Sequence, residues 1–168
     1  MPGGSGDGLS RRHPGWIALA GFLALSLLVS IVGGSVTATS VEGWYRTIER
    51  PPYNPPDWVF GPVWTLLYVM MAVAAWRVWR CGPAPAVGRA LMLYGMQLAL
   101  NLAWSLIFFG AHAIGAAFLE ILVLLAAIAA TTLAFWQIDR AAGWLMAPYL
   151  TWTAFAAFLN GSIWWLNS

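Results

Sequence analysis

No lysine occurs among the 168 residues, and all eight basic side chains are arginine. Without a lysine amine the chain cannot carry a Schiff base, which excludes a retinal-type photoreceptor. Charge of either sign is scarce, at 8% of residues against about 25% in a soluble domain. With 61% hydrophobic residues and mean hydropathy +0.72, this is the composition of a membrane protein. A single cysteine, Cys81, cannot form an internal disulfide, and two distant histidines, His13 and His112, do not make a structural metal site. The net charge of +2 comes from arginines in short loops, where membrane orientation accounts for them, so no nucleic-acid partner is implied.

What the chain has instead is long apolar runs. About 20 apolar residues cross a roughly 30 Å hydrocarbon core, and five such spans can be read. They are predicted at Trp16–Thr39, Val59–Trp79, Val87–Phe109, His112–Gln137 and Ala142–Leu166. The fold class expected is therefore an all-α integral membrane bundle of five helices, with a proline-rich loop between helices 1 and 2. The third and fourth spans share one uncharged run, so their break is placed at Gly110 and Gly115 around His112. Residues 1–15 read as a disordered Gly-rich tail and 16–168 as one domain. Arg11 and Arg12 precede an apolar run too long for a signal peptide, so helix 1 is expected to stay in the chain. Six arginines fall on the N-terminal side and only Arg46 and Arg50 on the other, which puts the N-terminus in the cytoplasm if this is an inner membrane.

Small residues recur every four positions at Ser26, Ser30, Gly34 and Ala38, and again at Thr153, Ala157 and Gly161, the spacing that lets helices approach closely in lipid. Of twelve tryptophans, nine (Trp16, Trp44, Trp58, Trp76, Trp79, Trp136, Trp144, Trp164 and Trp165) sit near span ends, where indoles favour the interface. Trp64, Trp104 and Trp152 lie deeper. Helical spacing puts Gln97, Asn101, Trp104 and Phe108 on one face, Tyr149, Trp152, Ala156 and Asn160 on a second, and Phe60, Trp64 and Tyr68 on a third. Three faces mixing aromatic and polar groups match a pocket that is apolar with a few placed polar atoms. Asn101 and Glu120 fall about 12 Å below the loop side. A carboxylate at that depth must be paired, protonated or wet, so Glu120 is a site candidate, whereas Asn101 and Asn160 suit hydrogen bonds between helices.

The segment "RPPYNPPDW", Arg50–Trp58, holds four prolines. Pro51, Pro52, Pro55 and Pro56 fix their own φ and push each preceding residue toward extended backbone, so the segment is stiff and suited to a lid that also carries Tyr53 and Trp58. Upstream, "VEGWYRTIER" can form a short helical turn, with Arg46 and Arg50 available for anionic groups or for ion pairs with Glu42, Glu49 or Asp57.

Three stretches, "WYRTIERPPYNPPDWVFGPVWTLLY" (Trp44–Tyr68), "QLALNLAWSLIFFGA" (Gln97–Ala111) and "PYLTWTAFAAFLN" (Pro148–Asn160), resemble the TspO/MBR family of tryptophan-rich sensory and translocator proteins. The resemblance implies a five-helix bundle, often dimeric, with a pocket near the first loop for porphyrins such as protoporphyrin IX and haem. By position it implies ligand-binding roles for Trp44, Trp64, Asn101, Trp104, Glu120 and Trp152, beside the residue-level candidates Tyr68, Tyr149 and Asn160. Sterol-binding members carry a Tyr and an Arg after the "LN" of helix 5. This chain has Gly161 and Trp165 there, so tetrapyrrole binding carries over and specific sterol recognition does not.

The function expected is a tetrapyrrole receptor or transporter for transport or regulatory sensing, with no required cofactor and with membrane lipid as surroundings. Two alternatives are a light- and oxygen-dependent porphyrin-degrading enzyme and a proton-coupled small-molecule exporter using Glu120. The sequence supplies no nucleophile, paired acid and base, or metal cage, which points away from an enzyme.

Overall fold

The computed structural model describes residues 15–168, so residues 1–14 of the expected tail, with Arg11, Arg12 and His13, lie outside the described residues, and its last residue, Gly15, opens the first helix. Five helices follow one another with no strand among the described residues: α1 (Gly15–Glu42), α2 (Asp57–Arg80), α3 (Pro85–Ser105), α4 (Ile114–Ile138) and α5 (Arg140–Leu166). Four of them, α1 to α4, are long and apolar enough to cross a membrane. The 27-residue α5 mixes Thr, Asn, Pro and Trp into its apolar run. In hydrocarbon no water satisfies backbone N–H and C=O groups, so runs of this composition close their hydrogen bonds locally as helices.

The ends of the helices are set by specific residues. Pro56 holds extended backbone (ψ 139°) immediately before α2, and Pro85 occupies the first turn of α3, where its missing N–H costs nothing. Asp139 caps α5 by accepting from the backbone N–H groups of Ala141 (2.8 Å) and Ala142 (3.3 Å). Helix 5 consequently begins at Arg140, two residues before the expected Ala142. The same Asp139 pairs with Arg77 at 2.9 Å, tying the end of α2 to the α4–α5 turn. Gly143 is therefore inside α5 instead of ending a helix. A Cβ there would lie 2.9 Å from the Trp136 backbone, which is what lets the turn close.

The α3–α4 break falls around His112, between Gly110 and Gly115 as expected, and only the start of α4 differs, by two residues. Leu106–Gly110 form a π turn continuing α3, and His112 adopts φ +55°. A non-glycine residue in that left-handed conformation cannot continue a right-handed helix, so α4 starts at Ile114 and not at His112, and Gly115 lies in its first turn.

α4 packs against α5 and α3, α1 packs on α2, and α2 closes against α5. α1 is the least embedded, burying only Ser26, Gly33 and Ser40. The expected stripe drifts off this face: each step of four residues advances about 40° around a 3.6-residue helix, so Gly34 and Ala38 end up exposed. Gly33 makes the close approach instead, with an added Cβ only 3.2 Å from Ser105 Oγ. One end of the bundle carries the α1–α2 connection with its prolines. The opposite end carries Arg77, Arg80, Arg89 and Arg140 at the termini of α2, α3 and α5.

Candidate functional site

The α1–α2 connection is held by its own side chains. After α1, Trp44–Arg46 make one 3₁₀ turn that buries Tyr45. The Tyr45 hydroxyl donates to Asn54 Oδ1 (2.6 Å), and Asn54 Nδ2 donates to the Pro55 carbonyl (3.0 Å). The Arg50 guanidinium lies 5.2 Å over the Tyr45 ring and pairs with Asp57 at 3.5 Å. Burial pushes the Tyr45 phenol up to about 12, against a smaller lowering from the Arg50 charge. Pro51 is buried, and the far side of the segment is stapled to α5. Tyr53 donates to Ser162 Oγ (2.6 Å) and stacks on Phe158 (5.3 Å), while Glu49 and Asn167 exchange two hydrogen bonds. Arg46, Pro52 and Pro56 are exposed. Trp58 is 75% exposed and turns away from the bundle, so it is not part of any cover.

Below the connection a chain of hydrogen bonds crosses the core. Tyr68 on α2 donates to Asn101 Oδ1 on α3. Asn101 Nδ2 then donates to Tyr149 Oη on α5 (3.1 Å), which donates to Gln97 Oε1 (3.0 Å). A second chain runs from Trp104 Nε1 to Asn160 Oδ1 (3.1 Å) and from Asn160 Nδ2 to the Ile114 carbonyl (3.0 Å). The two asparagines join helices, as expected of them. Tyr149 is fully buried and works as the centre of the first chain, not as a wall of an open space.

Two spaces meet at the deep tryptophans. Trp64, Trp104 and Trp152 converge with Tyr45, Phe60 and Phe108 on an interior hollow of about 30 Å³. On the other side, a groove of about 400 Å³ opens between α1 and α2, walled by Gly33, Gly34 and Thr37 and by Trp64, Tyr68 and Trp104, with Asn101 and Ser105 also lining it. Phe60, Trp64, Trp104 and Phe109 line both spaces and so form the partition between them. Trp152 faces only the hollow, and Glu120 lines neither. The hollow holds about one water, whereas small-molecule sites span roughly 300–1,000 Å³, a range only the groove reaches of the two.

Trp44 stands beside the hollow, edge-on to Phe108 (5.7 Å) and stacked on His112 (4.2 Å). The α1 wall of the groove, Gly33 and Thr37 above all, was not among the residues expected from the sequence. Three other residues of that wall, Ser30, Gly34 and Ala38, belong to the small-residue stripe, read there as a packing feature. Tyr45, Asn54, Ser105, Ser162 and Asn167 carried no local signal, because their partners are 9 to 118 residues away or on another helix.

On the α4–α5 side, Gly161 meets Phe118, where an added Cβ would come within 2.8 Å. A tyrosine at that position would require Phe118 to move.

The model of the TspO/MBR family matches residues 22–166. The chain is 39% identical over 152 residues to the tryptophan-rich protein TspO of Chlorobaculum tepidum, covering 90% of this chain and 96% of that one. It is also 39% identical over 153 residues to the human translocator protein, covering 90% of each. A tryptophan-rich sensory protein of Cereibacter sphaeroides is 41% identical over 119 residues, 71% of this chain and 73% of that one. With residues 22–166 matched by the family model and 90% of its length covered by relatives 39% identical to it, the chain belongs to the TspO/MBR family.

Proposed function

We propose that this membrane protein binds tetrapyrroles, protoporphyrin IX and haem among them, and serves in their transport or in regulatory sensing. The observation that carries the reading is the α1–α2 groove of about 400 Å³, where the faces of Trp64, Trp104 and Tyr68 stand beside the polar floor atoms of Asn101 and Ser105. Indole and phenol faces stack on a flat macrocycle, and a few polar atoms fix its orientation. Arg50 is held at 3.5 Å by Asp57, which lines the groove, so Arg50 or its neighbour Arg46 on the connection supplies a cation for a guest's carboxylates. The names of the relatives, translocator and sensory protein, fit a receptor or carrier. In this reading α5 is the fifth span and the arginine-rich end of the bundle faces the cytoplasm.

Tryptophan fluorescence tests it. In lipid nanodiscs protoporphyrin IX should quench wild-type emission saturably. Trp64→Ala and Trp104→Ala should each weaken binding by about tenfold, a loss of about 1.4 kcal/mol of stacking. Trp152→Ala should weaken it less, since that ring reaches only the interior hollow. Unchanged affinity in both groove variants would reject the reading.

A further inference from the structure

Glu120 is the only charged residue of α4, six residues or about 9 Å below the helix start at Ile114. Both carboxylate oxygens are buried, and neither has a hydrogen-bond partner among the described residues. Among the described residues the other buried side-chain oxygen without a hydrogen-bond partner is Thr153 Oγ1 on α5. Asn160 of α5 is bonded to the Ile114 carbonyl of α4, and Thr153 lies seven residues, about 10 Å, below it. Glu120 and Thr153 therefore share one depth on helices packed against each other. Tyr149 lies one turn further along α5, the helix packed against α4.

Among the described residues no cation forms an ion pair with Glu120. The charged residues of the neighbouring helices stand at their ends: Arg140 on α5, Arg89 on α3, and Asp57, Arg77 and Arg80 on α2. The titratable groups within those helices at the level of the core are phenols, Tyr149, Tyr94 and Tyr68. An ionised carboxylate with neither donor nor cation is untenable in such surroundings, whereas the acid form needs only acceptors.

We infer that Glu120 is a proton-binding site, carrying its hydrogen in the ligand-free bundle, and that this proton is linked to occupancy of the groove. The link is the chain Tyr149–Asn101–Tyr68, whose last two members line the groove. A guest that accepts from Asn101 Nδ2 draws that amide off Tyr149 Oη and frees an acceptor lone pair on the phenol. The acid O–H of Glu120 then gains a partner, so the guest and the proton favour each other. Raising the pH breaks the O–H bond, leaves the electron pair on the carboxylate, sends the proton to water and weakens the guest. The link rests on the tetrapyrrole reading of the groove. The proton itself does not.

Infrared difference spectra of ligand-free protein in lipid, wild type minus Glu120→Gln at neutral pH, test the proton directly. The expected result is a protonated-carboxyl C=O band in the wild type that shifts on H/D exchange, is absent in Glu120→Gln and returns in Glu120→Asp. A carboxylate band in its place would overturn the inference. For the link, protoporphyrin IX affinity is compared between wild type and Glu120→Gln as pH rises. The two should agree near neutrality, and the wild type should fall at least about fivefold behind once the acid band has titrated away. A constant ratio across that titration would overturn the link. If neither protein is quenched by the porphyrin, the tetrapyrrole reading fails, and the infrared result still decides whether Glu120 holds a proton.

Discussion

The imidazole of His112 lies flat on the indole of Trp44, centroids 4.2 Å apart and planes 15° from parallel. This contact joins the α3–α4 turn to the start of the proline connection, and Ser40 Oγ stands 3.4 Å from His112 Nε2 on the same side. It also holds a backbone that would otherwise be unfavourable, since His112 sits at φ +55° directly after a π turn.

Two substitutions separate the stack from the strain. His112→Ala loses the stack and keeps the left-handed backbone, while His112→Gly loses the stack and relieves about 1 kcal/mol of strain. Thermal melts in detergent should place both variants below the wild type, with the glycine variant the more stable of the two.

Gly143 and Gly88 should respond oppositely to alanine. A Cβ at Gly143 meets Trp136 at 2.7 to 2.9 Å, backbone included, so Gly143→Ala should cost about 1–3 kcal/mol. Nothing lies within 4 Å of a Cβ at Gly88 in α3, where alanine should add up to about 1 kcal/mol through helix propensity. Denaturation midpoints of the two variants check the contrast.

Asn101 both accepts from Tyr68 and donates to Tyr149. Asn101→Leu strands the buried Tyr68 hydroxyl and takes one of two partners from Tyr149, which keeps Gln97, and should cost about 1–2 kcal/mol, the lower figure reflecting the modest worth of such bonds in lipid. Tyr68→Phe removes one partner of the same chain, so the double variant should be less destabilised than the sum. Equal additivity in a double-mutant cycle would mean the chain does not act as a unit.

Tyr45 supplies a pH dependence. Its phenol moves from an ordinary 10.0 to about 12 in the folded protein because burial disfavours the phenolate. The folded state thus holds the proton more tightly than the unfolded one. The contribution is fully present below pH 10 and is lost as pH rises through about 12. Ultraviolet titration should show a late phenolate step that disappears in Tyr45→Phe, whose stability should fall less steeply over the same interval.

The spans of α1 to α3 were legible because hydrocarbon permits few solutions for an uncharged run. Their ends were within a few residues because proline marks two of them. The starts of α4 and α5 differ from expectation by two residues, as do those of α2 and α3, each for a local reason. His112 lies in an apolar run, and its left-handed backbone is imposed by the turn and by the ring beneath it. "DRAAG" reads as a stop, yet Asp139 is a cap and Gly143 a packing position. The small-residue stripe of α1 was visible, but its exposed members became the wall of a groove, since a four-residue repeat rotates away from a 3.6-residue helix.

Composition and depth are properties of the chain alone. They determined that this is an apolar helical protein with tryptophans, asparagines and one glutamate at set levels below a proline-stiffened end, because rise per residue converts sequence position into height. Which side chains at one height become neighbours is decided by the lateral arrangement of helices, and no periodicity within a single helix contains it. Only the tertiary structure turned Trp64 and Trp104 into a partition between a small hollow and an open groove, left Trp152 on one side of it, and surrounded Glu120 with nothing to bond.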